Sequence, residues 1–143
     1  MAAVTSVVRA EQIFLGRIDA VLSPFSLTFS RYEVLALLNF TRKGELPLGK
    51  IGARLQVHAA SVTNAVDRLE QQGLVRRDAH PSDGRTTLAA LTPEGRKVVR
   101  TATTRMNEVF ADLSLSDREL AELFRLLRKV RHAAGDFVEE QPG

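Results

Sequence analysis

Hydrophobic residues recur at helical spacing through the first half of the chain. Residues 4–22 carry one broad apolar stripe, which predicts an amphipathic helix. A second helix is expected over Phe29–Phe40, and two short helical patterns follow at residues 48–55 and 59–72. The last of these closes at Gly73, because glycine readily takes the left-handed conformation that ends a helix. Four helices are therefore predicted in the first half.

Capping patterns mark the start of two helices. Thr28 or Ser30 is expected to cap the second helix, and Ser30 with Glu33 three residues later fits a capping box. Ser116 with Glu119 fits the same box and predicts the start of the last helix. In such a box the cap hydroxyl accepts a bond from a backbone amide, and the glutamate accepts one from the cap residue's own amide.

After the fourth helix the pattern changes from helical to extended. Residues 74–78 and 86–91 look like strands. They flank residues 81–85, Pro-Ser-Asp-Gly-Arg, and the Pro, Asp and Gly of this segment demand a turn. The pattern therefore predicts a β-hairpin with a charged tip.

Two more helices complete the predicted order. Thr92 followed by Pro93 is a clear helix start, and the apolar spacing carries this helix to Leu113. The final helix is expected to run through Phe137. Four helices, a hairpin and two helices predict a mainly α fold with a small β-hairpin wing. This is a winged helix-turn-helix with N- and C-terminal dimerisation helices.

The predicted elements divide into three parts. Residues 1–27 form an N-terminal dimerisation helix, residues 28–92 a winged helix-turn-helix DNA-binding domain, and residues 93–143 the C-terminal dimerisation helices. The outer helices have larger apolar stripes than one small domain can cover, and short chains often bury such stripes by pairing. A homodimer is therefore expected.

Basic charge is concentrated in the middle of the chain. The formal net charge is +3, but residues 48–100 carry nine Lys and Arg against five Asp and Glu, whereas residues 101–143 carry six against eight. A basic middle beside a mildly acidic end suits a polyanion-binding module attached to a part that does not bind polyanions. Double-stranded DNA is the expected partner.

Several classes of protein are disfavoured by what the sequence lacks. Without cysteine there are no disulfides, cysteine zinc sites or thiol nucleophiles. No glycine-rich phosphate loop or nucleophile motif is present, so neither an enzyme nor a cofactor is expected. Charged residues such as Arg9 and Asp19 interrupt the first apolar stretch, so no membrane span or signal peptide is predicted, and a cytoplasmic location is expected.

The helix that begins at Ala59 has the pattern of a DNA recognition helix. Its inward face is apolar, while its outward face offers short polar and forked side chains that can contact base edges or phosphates. Asn can pair with adenine and Arg with guanine. The candidate DNA-binding residues on this helix are Ser61, Thr63, Asn64 and Arg68.

The hairpin tip carries a second set of DNA-binding candidates. Arg85 protrudes from it, and protruding arginines favour narrow minor grooves. Asp83 is interpreted as an orienting partner for Arg85, with an ordinary turn residue as the alternative. Arg76, Arg77 and Lys50 are further candidates for phosphate contact, with a merely solvated surface as the alternative for each.

The run SVTNAVDRLEQQGLVRR at residues 61–77, followed by Asp-Gly-Arg at 83–85 and Leu-Thr-Pro-Glu-Gly at 91–95, resembles the MarR family of bacterial regulators. The resemblance implies an obligate homodimer joined through its terminal helices. It also implies recognition helices in successive major grooves of a pseudo-palindromic operator and wing arginines in the flanking minor grooves. Most such proteins repress transcription, and many release DNA when they bind a small aromatic or anionic compound.

Three residues depart from the family pattern. His58 stands where the family usually has a Ser or Thr cap, and it could cap weakly, contact DNA phosphate or sense pH, with a plain structural role as the alternative. Gly49 and Gly52 lie inside the preceding helix, where each glycine costs up to about 1 kcal/mol relative to alanine. That helix is therefore expected to be short or loosely held.

The resemblance places an effector pocket where the dimerisation helices meet the winged domain, with Arg17, Arg31 and Tyr32 as candidate polar anchors. Two alternatives remain open. The first is a metal-responsive regulator of the same fold, although the three histidines lack close ligand spacing and no metal ligands are assigned. The second is a helical dimer that uses its winged domain only for protein contacts.

Overall fold

The computed structural model describes residues 1–136. Two compact units make up the chain, residues 1–109 and a second unit that begins at Phe110. The proposed functional division at residues 27 and 92 stays a prediction. The helices are α1 (Ala2–Leu22), α2 (Phe29–Phe40), α3 (Leu48–Leu55), α4 (Ala59–Gln71), α5 (Pro93–Phe110) and α6 (Asp117–Ala133), with a 3₁₀ turn at Ser23–Phe25. The strands are β1 (Glu45–Pro47), β2 (Val75–Ala79) and β3 (Thr87–Leu91).

The start of α2 corrects one predicted cap. Thr28 is the N-cap, with an extended backbone and a side chain that accepts a hydrogen bond from the Arg31 amide at 3.4 Å. Ser30 already lies inside the helix, so the expected capping box between Ser30 and Glu33 is wrong. Two candidate hydroxyls stand two residues apart, and the one with the extended backbone becomes the cap.

The second predicted capping box is confirmed at α6. Glu119 donates its amide hydrogen to Ser116 Oγ at 3.3 Å, and its carboxylate accepts from the Ser116 amide at 2.8 Å. The helix before it, α5, stops short of the predicted Leu113, and Ser114 takes a left-handed backbone with φ 57°. The predicted end of α6 was also too late, because the helix closes at Ala133, and Phe137 lies outside the described residues.

A three-stranded antiparallel sheet replaces the predicted two-stranded hairpin. β2 and β3 form the expected wing, and β1 pairs with the other edge of β3, which gives the order β1-β3-β2. The sequence did not predict β1, because three residues ending in Pro47 are too short for a periodic pattern. Proline is tolerated there because β1 is an edge strand.

The core of the first unit lies between α2, the helix-turn-helix formed by α3 and α4, and the sheet. Apolar side chains from each of these elements are buried there, and their burial holds α4 against the domain. Its members include Val34, Leu35 and Leu38 of α2, Ile51 of α3, Val62, Val66 and Leu69 of α4, and Leu88 and Ala89 of β3.

The two glycines of α3 have different surroundings. A Cβ added at Gly52 would lie 3.1 Å from the Val57 carbonyl oxygen and 3.4 Å from Val62 Cγ2, so this glycine lets α3 and α4 pack tightly. A Cβ added at Gly49 would meet nothing within 4 Å. The two glycines therefore have different roles, although both cost helix stability.

The tightest approach joins the start of α5 to Leu74, in the segment that follows α4. A Cβ at Gly95 would lie 1.9 Å from the Leu74 carbonyl oxygen. The Thr92 hydroxyl caps α5 by accepting from the Gly95 amide at 3.0 Å, and it donates to the Gly73 carbonyl at 2.7 Å. The Thr92 amide donates to the Leu74 carbonyl at 3.1 Å. The predicted helix start at Thr92 is confirmed.

Within residues 1–136, no single helix has both the length and the apolar character needed to cross a membrane. One bent pair, residues 2–25 with Phe29–Phe40, meets that test by length and composition when its two arms are taken together, and the arms are bent by 74°.

Candidate nucleic-acid interface

Helix α4 presents two contrasting faces. Val62, Val66 and Leu69 point into the core and are at most 1% exposed. The opposite face exposes the four polar residues that the sequence indicated, Ser61, Thr63, Asn64 and Arg68. The inward and outward assignment is therefore confirmed for these residues. Contact of the outward four with DNA stays a prediction.

His58 occupies the N-cap position of α4, but its side chain makes no capping hydrogen bond. The cap is supplied by backbone alone, because the His58 carbonyl accepts from the amides of Ser61 and Val62 at 3.0 and 3.1 Å. Weak side-chain capping, one of the roles considered for His58, is therefore wrong, and the residue is exposed. Phosphate contact and pH sensing by His58 stay predictions.

Asp83 organises the tip of the wing. Its Oδ1 accepts from the Arg85 amide at 3.0 Å, and its Oδ2 accepts from the Thr86 hydroxyl at 2.9 Å. The bond from the Arg85 amide lowers the pKa of Asp83 most, and the bond from the Thr86 hydroxyl lowers it further below its usual range. The carboxylate thus fixes the backbone of Arg85, while the Arg85 side chain stays exposed. Both bonds are also those of an ordinary turn residue, so the orienting role of Asp83 stays a prediction.

Arg77 connects the wing to the recognition helix. Its amide and its Nη1 each donate to the Glu70 carboxylate at 3.0 Å, and its Nη2 is paired with Asp67. Burial would lower the pKa of Arg77, but hydrogen bonds and charge attraction from Asp67 and Glu70 raise it overall. Arg76 differs, because its side chain is 57% exposed and pairs with Asp78 at 3.0 Å. Phosphate contact by either arginine stays a prediction.

An open groove of about 700 Å³ lies between the start of α3 and the wing. Three candidates predicted from the sequence, Lys50, Asp83 and Arg85, line it together with His80. His80 Nδ1 accepts from the Ser82 amide at 3.2 Å. No sequence motif pointed to His80 as a residue of this surface, because it faces Lys50 only once the chain has folded.

Known proteins of one family resemble this chain along most of its length. The family model described as MarR family matches residues 27–87. The transcriptional regulator MhqR of Bacillus subtilis is 32% identical, over 76% of this chain and 74% of MhqR. The crystal structure of Sco5413, a MarR family transcriptional regulator from Streptomyces coelicolor, is 52% identical, covers 97% of both chains and has a TM-score of 0.85. This chain belongs to the MarR family.

Other similar proteins carry DNA or a ligand. Sco3205 from Streptomyces coelicolor, solved in complex with DNA, shares the fold with a TM-score of 0.83 at 24% identity over 92% of this chain and 85% of its own. CouR from Rhodococcus jostii RHA1, solved bound to p-coumaroyl-CoA, is 28% identical over 93% of this chain and 92% of CouR, with a TM-score of 0.78. The match to the regulator YsmB of Bacillus subtilis, 28% identical, spans 62% of each protein. This MarR-family protein is a DNA-binding transcriptional regulator.

The candidate effector residues of this MarR-family regulator have separate surroundings. The Tyr32 hydroxyl lies 2.7 Å from the Thr103 hydroxyl and joins α2 to α5. Arg31 instead lines a groove against α4. Arg17 is exposed on α1. Their shared role as effector anchors stays a prediction.

Among residues 1–136, no group of three or more His, Asp and Glu side chains lies close enough to hold a metal ion. The three histidines have different places in the fold. His58 begins α4, His80 lies at the tip of the wing and His132 lies near the end of α6. The described part of this MarR-family chain therefore gives no support to the metal-responsive alternative.

Proposed function

We propose that this MarR-family regulator binds a pseudo-palindromic operator as a homodimer and represses transcription. α4 enters successive major grooves, and the wing places Arg85 in the flanking minor grooves. One observation carries the proposal. A recognition helix needs one face that packs against its own domain and another that can reach DNA. α4 buries three apolar side chains on one face and exposes Ser61, Thr63, Asn64 and Arg68 on the other.

The same proposal includes relief of repression by a small aromatic or anionic compound. Support comes from CouR, which was solved with p-coumaroyl-CoA, a ligand that is both aromatic and anionic. Such a compound acts by binding the DNA-free conformation more tightly than the DNA-bound one. Aromatic carboxylates added to an operator complex at constant ionic strength should therefore release the DNA.

The proposal is tested by selecting bound sequences from random DNA with the purified full-length protein. Asn64→Ala and Arg85→Ala are then titrated against the selected operator at several salt concentrations. Asn64→Ala should flatten the preference at one or two base positions, at about 1–3 kcal/mol per lost bidentate contact, and leave non-specific binding nearly intact. Arg85→Ala should weaken binding broadly and reduce the slope of log affinity against log salt by about one.

Both variants should keep the melting temperature of the wild type, because both side chains are exposed. Recovery of a single enriched pseudo-palindrome would support sequence-specific binding. A protein that selects no sequence and elutes from heparin without salt dependence would instead use its winged domain for protein contacts. Unchanged affinity and salt slope in Arg85→Ala would remove the wing from the mechanism.

A further inference from the structure

A polar groove of about 610 Å³ lies between the first turn of α2 and the recognition helix. Its lining comes from both helices and consists of Thr28, Ser30, Arg31, Ser61, Asn64, Ala65 and Arg68. Three of these side chains belong to the proposed DNA-contacting face of α4. A group bound in the groove would therefore lie directly beside the bases that α4 reads.

Arg31 is held in place on the α2 side of this groove. Its Nε donates to the Thr28 hydroxyl at 3.1 Å, and its Nη1 donates to the Ser26 carbonyl at 3.4 Å. The same Ser26 carbonyl accepts from Gln72 Nε2 at 3.1 Å, immediately after α4. One carbonyl oxygen thus connects the Arg31 guanidinium to the end of the recognition helix. A guanidinium fixed in this way loses little side-chain entropy when it binds a ligand.

The groove is positively charged. Its two charged lining residues are Arg31 and Arg68, and neither of them forms an ion pair within the described part of the chain. Arg77 shows the contrast, because two carboxylates already neutralise it. A planar guanidinium without a carboxylate partner matches the geometry of a phosphate group.

We propose that this groove receives one phosphate of the operator backbone, held by Arg31 from α2 and by Arg68 from α4. The inference rests on the proposed operator binding and adds a site to it. Phosphate contacts position a protein on the duplex, whereas base contacts give specificity. Arg31 therefore sets the depth and register of α4 in the major groove, a role separate from its expected one as an effector anchor.

The test uses the full-length protein and the operator selected above. Arg31→Gln removes the charge and should weaken operator binding roughly ten- to hundredfold, because hydrogen bonds to charged groups are strong. The salt slope should fall by about one. Arg31→Lys should keep the slope and recover part of the affinity. Arg100→Gln, at an exposed position on α5, is the matched control and should change neither quantity.

A scan with single neutral methylphosphonate linkages locates the phosphate. In the wild type, neutralising one linkage in each half-site should weaken binding about as much as Arg31→Gln does. In Arg31→Gln, the same linkage should have little further effect. Thermal melts of both proteins should coincide within a few degrees, which separates loss of a contact from loss of the fold.

The possible failures are distinguishable. If the wild type selects no DNA sequence, the proposed function itself fails. If the wild type is specific but Arg31→Gln keeps its affinity and slope, the groove holds no phosphate. If the loss of affinity from Arg31→Gln and the loss from neutralising a linkage are additive at every linkage, the assignment is also overturned. If inorganic phosphate at constant ionic strength competes only when Arg31 is present, and no linkage couples to Arg31, the groove serves a free anion instead of DNA.

Discussion

Arginines of this regulator differ in whether a carboxylate of the fold pairs with them. Arg77 forms ion pairs with Asp67 and Glu70 that join the wing to α4. Its charge is therefore already neutralised in the DNA-free protein. Arg31 has no carboxylate partner among the described residues and faces the groove beside α4. Net charge on the DNA-binding face therefore depends on pairing within the fold, and a count of basic residues overstates it.

Glu33 gives a prediction of its own at the residue scale. It is half-buried in α2, and burial raises the pKa of its carboxyl above the ordinary value. The folded state then binds the proton more tightly than the unfolded state, so stability falls as the pH rises through the raised pKa. Glu33→Gln, which has no charge at any pH, should raise the melting temperature at pH 7.

The advantage of Glu33→Gln should vanish well below the ordinary glutamate pKa of about 4.3, where both side chains are neutral. Melting curves of both proteins by circular dichroism between about pH 3 and 8 measure it. Glu108→Gln, on an exposed part of α5, is the control and should leave the melting temperature unchanged. A gain for Glu33→Gln that is equal at all pH values would contradict burial as the cause.

Residue roles were only partly predictable from the sequence. Local patterns found the outward polar face of α4 and the Ser116 capping box, because both depend on neighbours within a few positions. Arg76 and Arg77 could not be told apart, since the carboxylates that occupy Arg77 come from a different element. The family resemblance grouped Arg31 with Tyr32 as effector anchors, whereas in the fold the two side chains have different neighbours.

At the scale of elements, two glycines lie where neighbouring elements approach closely. Gly95 brings α5 onto Leu74, and Gly52 brings α3 onto α4. The sequence predicted the order of helices and the hairpin from periodicity and turn residues. It could not predict β1, whose three residues become a strand only through pairing with β3.

Two glycine substitutions should have opposite effects on stability. Gly95→Ala places a Cβ 1.9 Å from the Leu74 carbonyl oxygen, so backbone must move, and the expected loss is about 3 kcal/mol. Gly49→Ala adds its Cβ to open space within α3 and should gain about 0.5–1 kcal/mol.

Urea unfolding at one protein concentration measures both changes. The wild type and Gly49→Ala should unfold with the same dependence on urea, which shows that only stability has changed. Gly95→Ala with wild-type stability would mean that α5 and Leu74 are not in the tight contact described.

At the scale of the whole molecule, exposed apolar side chains predict the assembly. α1 exposes Val4, Val7, Val8 and Ile13, and α6 exposes Leu123, Phe124, Leu126, Leu127 and Val130. Large apolar side chains exposed on a helix in this way often mark an interface. The apolar stripes of the outer helices predicted this exposure from the sequence.

Phe124→Asp should weaken the homodimer, because it puts a charge among the exposed apolar residues of α6. Light scattering at micromolar concentration should give a dimer mass for the wild type and a lower mass for the variant. Phe40→Asp is the control, since Phe40 is also exposed, at 89%, but lies at the end of α2. A wild-type monomer across this concentration range would refute the dimer, and a loss of mass in both variants would refute the role of α6.

The contact at Gly95 also fixes one end of α5 against the residues that directly follow the recognition helix. Gly73 and Leu74, which follow α4, hold Thr92 and Gly95 at the start of α5 by hydrogen bonds and by contact without a gap. The 18 residues of α5 span about 27 Å, so a tilt of about 10° at that end moves the far end by about 5 Å. Since close-packed contacts transmit strain, a ligand that shifts the far end of α5 can turn α4 without touching it.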